Sequence, residues 1–219
     1  MNRRPGGAQH IPRPTAWAHG DPPPWFGRQR ELSVADVIAR LPDGVGQRPT
    51  TPRSATARSS AVLAALVDGA RGAEVLLTKR SATLRSHRGE ISFPGGRLDP
   101  GETPWQAAVR EAYEEVMLDP SLVVARAELA HVETIVSDSY IVPVVGELAA
   151  KPDVRPSATG EVDRVLWVPL VELAEPETFR TERWGAETGF EMYFYELDDE
   201  TVWGATGRIL FDLLRTIYA

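Results

Sequence analysis

The sequence contains no cysteine. That excludes disulfides, thiolate metal sites and a cysteine nucleophile, and leaves oxygen and imidazole groups as the ligands available to a metal. Hard cations such as Mg²⁺ or Mn²⁺ suit that inventory. Nor is there an excess of basic charge: 24 Lys and Arg stand against 31 Asp and Glu, a net charge of −7 with a pI of about 5.2. A chain that grips nucleic-acid phosphates carries a basic footprint, so nucleic acid is not expected as a partner. No stretch approaches the roughly 18 uninterrupted apolar residues of a membrane span. Arg3 and Arg4 are followed by no apolar run of the kind a secretory leader needs. No membrane association and a cytoplasmic location are the resulting expectations. A serine-elbow motif and internal repeats are also missing.

What is present fits one main domain: 219 residues, 42% hydrophobic and 25% charged, enough to bury a sizeable core. Residues 1–60 read as an N-terminal Pro/Arg-rich arm with a short helix and a linker. Its first thirty residues, with Pro22, Pro23 and Pro24 in sequence, predict an extended and partly disordered arm. Ser33 before Val34, Val37, Ile38 and Leu41 predicts a capped helix that ends before Pro42. Gln47 to Ser60 reads as a linker, and the main domain is expected over residues 61–219. Apolar runs at Ala61 to Val67 and Glu74 to Thr78, joined through Gly69 and Gly72, predict a strand pair. Further strands are predicted at Ile91 to Phe93, Leu129 to Val136, Tyr140 to Val145, Val162 to Val168 and Met192 to Tyr195. Helices are predicted from Pro104 to about Met117 and after Gly204, the latter with Ile209, Leu210, Leu213, Leu214 and Ile217 on one face. Strands mixed with a few helices imply a layered α/β sandwich.

The chemistry concentrates on the helix that begins at Pro104. Thr103, Pro104 and Gln106 supply a hydroxyl N-cap, a proline at the first helical position and the far half of a capping box. At about 100° per residue, Trp105, Ala108, Val109, Ala112 and Val116 share one arc, and Glu111, Glu114 and Glu115 share a neighbouring one. Like charges three and four residues apart repel by a few tenths of a kcal/mol, roughly, so a cation is expected over them. A solvated acidic face with a nearby arginine would also satisfy the pattern. The preceding Phe93-Pro94-Gly95-Gly96 favours the functional reading, because two glycines allow close backbone approach between a strand and an acidic helix.

Together these residues resemble the Nudix box, G-x5-E-x7-R-E-U-x-E-E-x-G-U with U aliphatic. Gly96, Glu102, Arg110, Glu111, Glu114 and Glu115 fall at the required spacings, with Leu118 at the last aliphatic place. Two places depart: Ala112 is small, and Met117 stands where the family has its second glycine, which suggests a helix end moved to Asp119-Pro120. The resemblance implies a Nudix-like α/β/α sandwich with a mixed β-sheet and a pyrophosphohydrolase dependent on Mg²⁺ or Mn²⁺. Glu111, Glu114 and Glu115 would bind the metal, and Arg110 would pair with Glu102 to tie the helix to its loop. The family's general base varies. Glu161, on the segment leading into the Val162 strand, is the candidate for an additional ligand or base, with Glu114 and Glu115 as alternatives.

Upstream, Leu76-Leu77-Thr78-Lys79-Arg80-Ser81, Arg85, Gly89 and Phe93-Pro94-Gly95-Gly96 resemble the extra signature of the coenzyme A pyrophosphatase branch, L-L-T-x-R-[SA]-x3-R-x3-G-x3-F-P-G-G. That implies a CoA or acyl-CoA substrate, cleaved to 4′-phosphopantetheine, free or acylated, and adenosine 3′,5′-bisphosphate. CoA carries a 3′-phosphate besides its diphosphate, and arginine forks onto phosphate oxygens. Arg80 and Arg85 are the candidate substrate contacts, with Arg97 a further one and Gly95 and Gly96 lining the loop. Bridging of strand to acidic helix is the plainer role for these arginines, and His87 reads as a solvent-facing loop residue. Two alternatives stand beside CoA: another nucleoside diphosphate derivative, such as ADP-ribose or a dinucleotide, and a silent module that binds CoA or a nucleotide. A homodimer is compatible with all of them.

Overall fold

A computed structural model describes residues 3–46, 57–84, 86–134, 138–185 and 189–219. The elements run β1 (Trp17–His19), α1 (Val34–Ile38), β2 (Arg58–Gly69), β3 (Gly72–Arg80), β4 (Ile91–Ser92), β5 (Gly95–Arg97) and α2 (Pro104–Val116). A 3₁₀ turn at Pro120–Leu122 leads into β6 (Val123–Glu128), β7 (Val132–Thr134), β8 (Ser139–Leu148) and β9 (Val162–Pro169). The chain closes with α3 (Leu170–Ala174), β10 (Phe179–Trp184), β11 (Phe190–Glu196), β12 (Thr201–Val202) and α4 (Gly204–Tyr218).

β2 is the spine, and its sequence shows why. Ala61, Leu63, Ala65 and Val67 bury into one core with Ala107, Ala108, Ala112 and Val116 of α2. Ala64 and Leu66, pointing the other way, bury into a second core with Leu210, Leu213 and Leu214 of α4. A strand apolar on both faces belongs between two layers. The main sheet runs β4-β3-β2-β8-β6, with β5 added to β2, β7 to β8 and β9 to β3. β2 and β8 are parallel and the other pairs antiparallel, so the sheet is mixed. With α2 on one face and α4 on the other, the α/β/α sandwich is the observed architecture. The predicted face of α4 is buried throughout: Ile209, Leu210, Leu213, Leu214 and Ile217.

A smaller sheet, β1-β10-β11-β12, lies against α4. It shows how the extended segment before α1 is anchored. β1 pairs with β10 in register Trp17 to Trp184, Ala18 to Arg183 and His19 to Glu182. Arg4 bonds Glu172 at 2.5 Å and Glu175 at 3.0 Å, and Arg13 Nε bonds Glu182 at 2.9 Å. Trp25 is 1% exposed, donates its indole N–H to the Ala174 carbonyl at 3.1 Å and meets the Phe179 ring at 4.9 Å. Proline and glycine forbid a helix there, yet an extended chain can still be anchored by partners far along the sequence. The short helix α1 is as predicted, with Ser33 and Asp36 forming a capping box. The predicted linker falls mostly outside the described residues, and β2 already starts at Arg58. Among the described residues, no helix is long and apolar enough to cross a membrane.

Candidate active site

The acidic helix α2 is fixed at both ends. Thr103 Oγ1 accepts from the Gln106 N–H at 3.3 Å, while Gln106 Oε1 accepts from the Thr103 N–H at 2.9 Å. At the other end Met117 takes φ 61°, the left-handed conformation that glycine favours, and its N–H returns to Tyr113 O at 2.9 Å. The stop therefore stays where the family places its glycine, and the expected shift to Asp119-Pro120 is corrected. The carbonyls of Glu115 and Val116, in the last turn of the helix, have no partner within it. They are met by the following loop: Ser157 N–H donates to Glu115 O at 2.9 Å and Arg155 N–H to Val116 O at 3.1 Å. Nothing in the sequence signalled that clamp, since both donors are backbone groups. It holds the segment that carries Glu161 beside the end of α2.

The three glutamates differ in environment. Glu115 is 6% exposed, accepts the Gly95 N–H at 3.1 Å and lies 3.7 Å from Arg80 Nη1. Burial pushes its carboxyl up to about 7; Gly95 and Arg80 oppose the rise, and the charges of Glu111 and Glu161 add to it. Glu111 is raised as well, again mainly by burial, with Arg110 opposing and Glu114 and Glu161 reinforcing. Glu114 is 52% exposed and approaches Arg110 Nη1 at 3.6 Å. Glu161 is exposed, and its charge adds to the rise of both Glu111 and Glu115.

Arg110 ties this cluster to its loop. Its Nε and Nη2 fork onto Glu102 at 2.8 and 3.0 Å, Nη2 also meets Arg97 O at 3.0 Å, and Nη1 bonds Glu111 at 3.0 Å. The Arg110 bonds hold the Glu102 carboxyl below the usual range. Arg97 thus contributes its carbonyl, while its side chain is exposed. The glycines are needed for contact rather than for turning alone. A Cβ on Gly96 would stand 2.4 Å from the Glu111 carboxyl, and one on Gly95, at φ 153°, would meet Ala61 O at 2.3 Å. β5 can lie between β2 and α2 because both residues lack side chains. Arg85 lies outside the described residues. His87 is exposed and paired with Glu90 at 2.9 Å, as a loop histidine should be.

Among the described residues, no three acidic or imidazole side chains are gathered into a ready cation cage. Arg110 draws Glu111 and Glu114 aside, and Glu115 turns in toward Gly95. The donor chemistry nevertheless fits a hard divalent cation: all-oxygen ligands, two of them with raised pKa because burial and mutual repulsion leave negative charge undercompensated.

This pairing of an α/β/α sandwich with a glycine loop and a partly buried run of helix glutamates defines a class. Residues 57–187 match the NUDIX domain, and the chain belongs to the Nudix family. It is 29% identical over 206 residues to Nudix hydrolase 3 of Caenorhabditis elegans, covering 87% of this chain and 85% of that one. Nudix hydrolase 22, chloroplastic, of Arabidopsis thaliana is 36% identical over 206 residues, 87% of this chain and 66% of the plant protein. An uncharacterized Nudix hydrolase of Photorhabdus laumondii is 34% identical over 193 residues, covering 85% of this chain and 98% of that one. Among solved structures, a Nudix hydrolase from M. smegmatis aligns over 55% of this chain and 78% of its own, at 28% identity and TM-score 0.46. The chain is an enzyme of this class, a hydrolase of pyrophosphate linkages in small nucleoside diphosphate derivatives, and such hydrolases generally use divalent ions such as Mg²⁺ or Mn²⁺.

Proposed function

We propose that this enzyme hydrolyses the diphosphate of coenzyme A or an acyl-CoA, releasing 4′-phosphopantetheine or its acyl form and adenosine 3′,5′-bisphosphate. The observation that carries this reading is the signature from Leu76 to Gly96, which leads directly into the glutamate cluster. Its Arg80 end and its Gly95-Gly96 end both touch that cluster. Glu111, Glu114 and Glu115 are the residues that would hold Mg²⁺ or Mn²⁺. When bound, the cation supplies charge neutralisation and polarisation of phosphoryl oxygens.

The chain's own residues do the rest. Phosphoryl transfer needs mainly positioning and charge stabilisation, so no protein nucleophile is required. Glu161 is the candidate to take the proton of an attacking water, with Glu114 and Glu115 as alternatives; the exposure of Glu161 and Glu114 supports a solvent-side role for those two. Arg110 is a positioning residue: it locks α2 to Glu102 and the Arg97 carbonyl. Arg80, expected with Arg85 at the 3′-phosphate, lies 3.7 Å from Glu115 instead, which favours a contact with the diphosphate. Arg85 and the exposed Arg97 side chain are the candidates for the 3′-phosphate.

The test is product analysis with CoA, dephospho-CoA and ADP-ribose in Mn²⁺, with chelator as control. The expected result is preferential cleavage of CoA to the two named products, sensitivity to the 3′-phosphate, and loss of turnover by orders of magnitude in Glu114→Gln with the fold intact. Equal rates on dephospho-CoA or faster cleavage of ADP-ribose would reject CoA as the substrate, while unchanged turnover in the variant would reject the metal site.

A further inference from the structure

Among the described residues, two arginines reach the glutamate cluster, and they are held very differently. Every guanidinium nitrogen of Arg110 has a partner within 3.0 Å, so its head is locked in place. Among the described residues, the ion pair of Arg80 is Nη1 to Glu115 at 3.7 Å, beyond hydrogen-bond length. Its Nε is buried and, among the described residues, has no hydrogen-bond partner. The root of the side chain is nonetheless fixed: Arg80 N–H donates to Glu90 O at 2.9 Å, and Arg80 O accepts from Gly89 N–H at 3.1 Å. Arg80 also sits where the β3–β9 register shifts, at the Lys79/Arg80 bulge that turns it toward α2.

From this asymmetry we infer that Arg80 is a resident counter-ion of Glu115, displaced when a divalent cation takes that carboxylate and then free to fork onto the diphosphate, so that cation and diphosphate bind cooperatively through it. The inference rests on the reading of Glu111, Glu114 and Glu115 as metal ligands. A positive head over an almost buried carboxylate offsets a charge that would otherwise stand uncompensated. A cation arriving at the same carboxylate both replaces that role and repels the guanidinium. An orphaned Nε beside an Nη is one edge of the fork that pairs with two phosphoryl oxygens, and a buried donor without an acceptor is costly until it finds one. Arg110, already saturated, has no such edge to offer. Cooperativity of this kind is reciprocal: whatever factor the diphosphate adds to cation affinity, the cation adds to diphosphate affinity. An arginine acting at the diphosphate also affects CoA and ADP-ribose alike, which separates this role from recognition of the 3′-phosphate.

The experiment measures Mn²⁺ binding to the whole protein by calorimetry and by the paramagnetic resonance signal of free Mn²⁺. It is run in buffer of about pH 8.5 and repeated at about pH 9.5, so that a change of carboxylate ionisation between variants is recognised. Titrations are done with and without methylenediphosphonate, correcting for the complex that the two form in solution. In the wild type the diphosphonate is expected to tighten Mn²⁺ about tenfold, and Mn²⁺ to tighten the diphosphonate by the same factor. In Arg80→Gln, Mn²⁺ alone should bind a few fold tighter, because its competitor is gone, and the mutual tightening should vanish. Arg80→Lys keeps the charge without the fork, and should bind Mn²⁺ alone as the wild type does but with reduced tightening. If Arg80→Gln binds Mn²⁺ no tighter than wild type, or keeps the full mutual tightening, the inference is overturned and Arg80 is a brace. A wild type that binds no Mn²⁺ at all would instead defeat the metal reading on which the inference rests.

Discussion

Glu115 sets the pH behaviour expected of the metal-free enzyme. Its ordinary value of 4.5 applies to the unfolded chain, and burial lifts it to about 7 in the fold. Between the two the native state holds a proton that the unfolded state has lost, so the favourable contribution is full below about 4.5 and is lost as pH rises through about 7. Metal-free protein should therefore melt at progressively lower temperature as pH rises across that window, and Glu115→Gln should flatten the slope. A ligand ion must displace this proton, so the rise in melting temperature given by Mg²⁺ should be larger at about pH 8 than at about pH 6. An equal rise at both would mean that Glu115 is not a ligand. At this scale the sequence was most informative through its resemblance to the Nudix box: the pairing of Glu102 with Arg110 that the resemblance implied is realised at 2.8 and 3.0 Å. Which carboxylate would be buried was not readable, because that depends on Gly95 and Arg80 closing over Glu115 from another strand.

At the scale of elements, α2 shows how far local rules reach and where they stop. Its start follows from Thr103, Pro104 and Gln106 alone. Its end does not, because Met117 accepts a left-handed backbone that costs an ordinary residue about 1–2 kcal/mol. The observed stop is secured by the backbone donors of residues 155 and 157, which no local pattern predicts. Replacing Met117 with glycine should raise stability by about 0.5–1 kcal/mol once the extra freedom of the unfolded chain is counted, read as a higher urea midpoint with unchanged slope. A lower midpoint would show that the methionine side chain, 40% exposed, contributes contacts that outweigh the backbone strain. Each strand missed by the sequence reading has its own physical cause. β10 turns Glu182, 1% exposed, inward, where Arg13 and Arg180 neutralise it, so its alternation looks polar. β6 has a register shift between Ala125 and Ala127 that breaks a period of two. β5 consists of two glycines and an arginine, chosen for close approach to α2 rather than for strand propensity.

For the whole molecule, the central layers were legible and the small sheet was not. β2, β3, β8, β9 and α4 carry continuous apolar patterns; β1 is three exposed residues whose only reason to be extended is its partner β10. The segment before α1 is bound by this sheet and by α3, and Trp25 is its anchor. Trp25→Ala should cost about 3–5 kcal/mol, as for other buried tryptophans cut to alanine, and chemical denaturation would measure it. A loss below about 1 kcal/mol, the scale of a typical surface change, would mean that the segment contributes little to the fold.

The bond between Arg13 and Glu182 joins positions 169 residues apart, and that span has a consequence for biosynthesis. During translation the first strand leaves the ribosome long before its neighbour has been made. A stretch bearing Trp17, Trp25 and Phe26 must wait unpaired until the strand that carries Glu182 emerges, so the small sheet closes only after most of the intervening layers have been made.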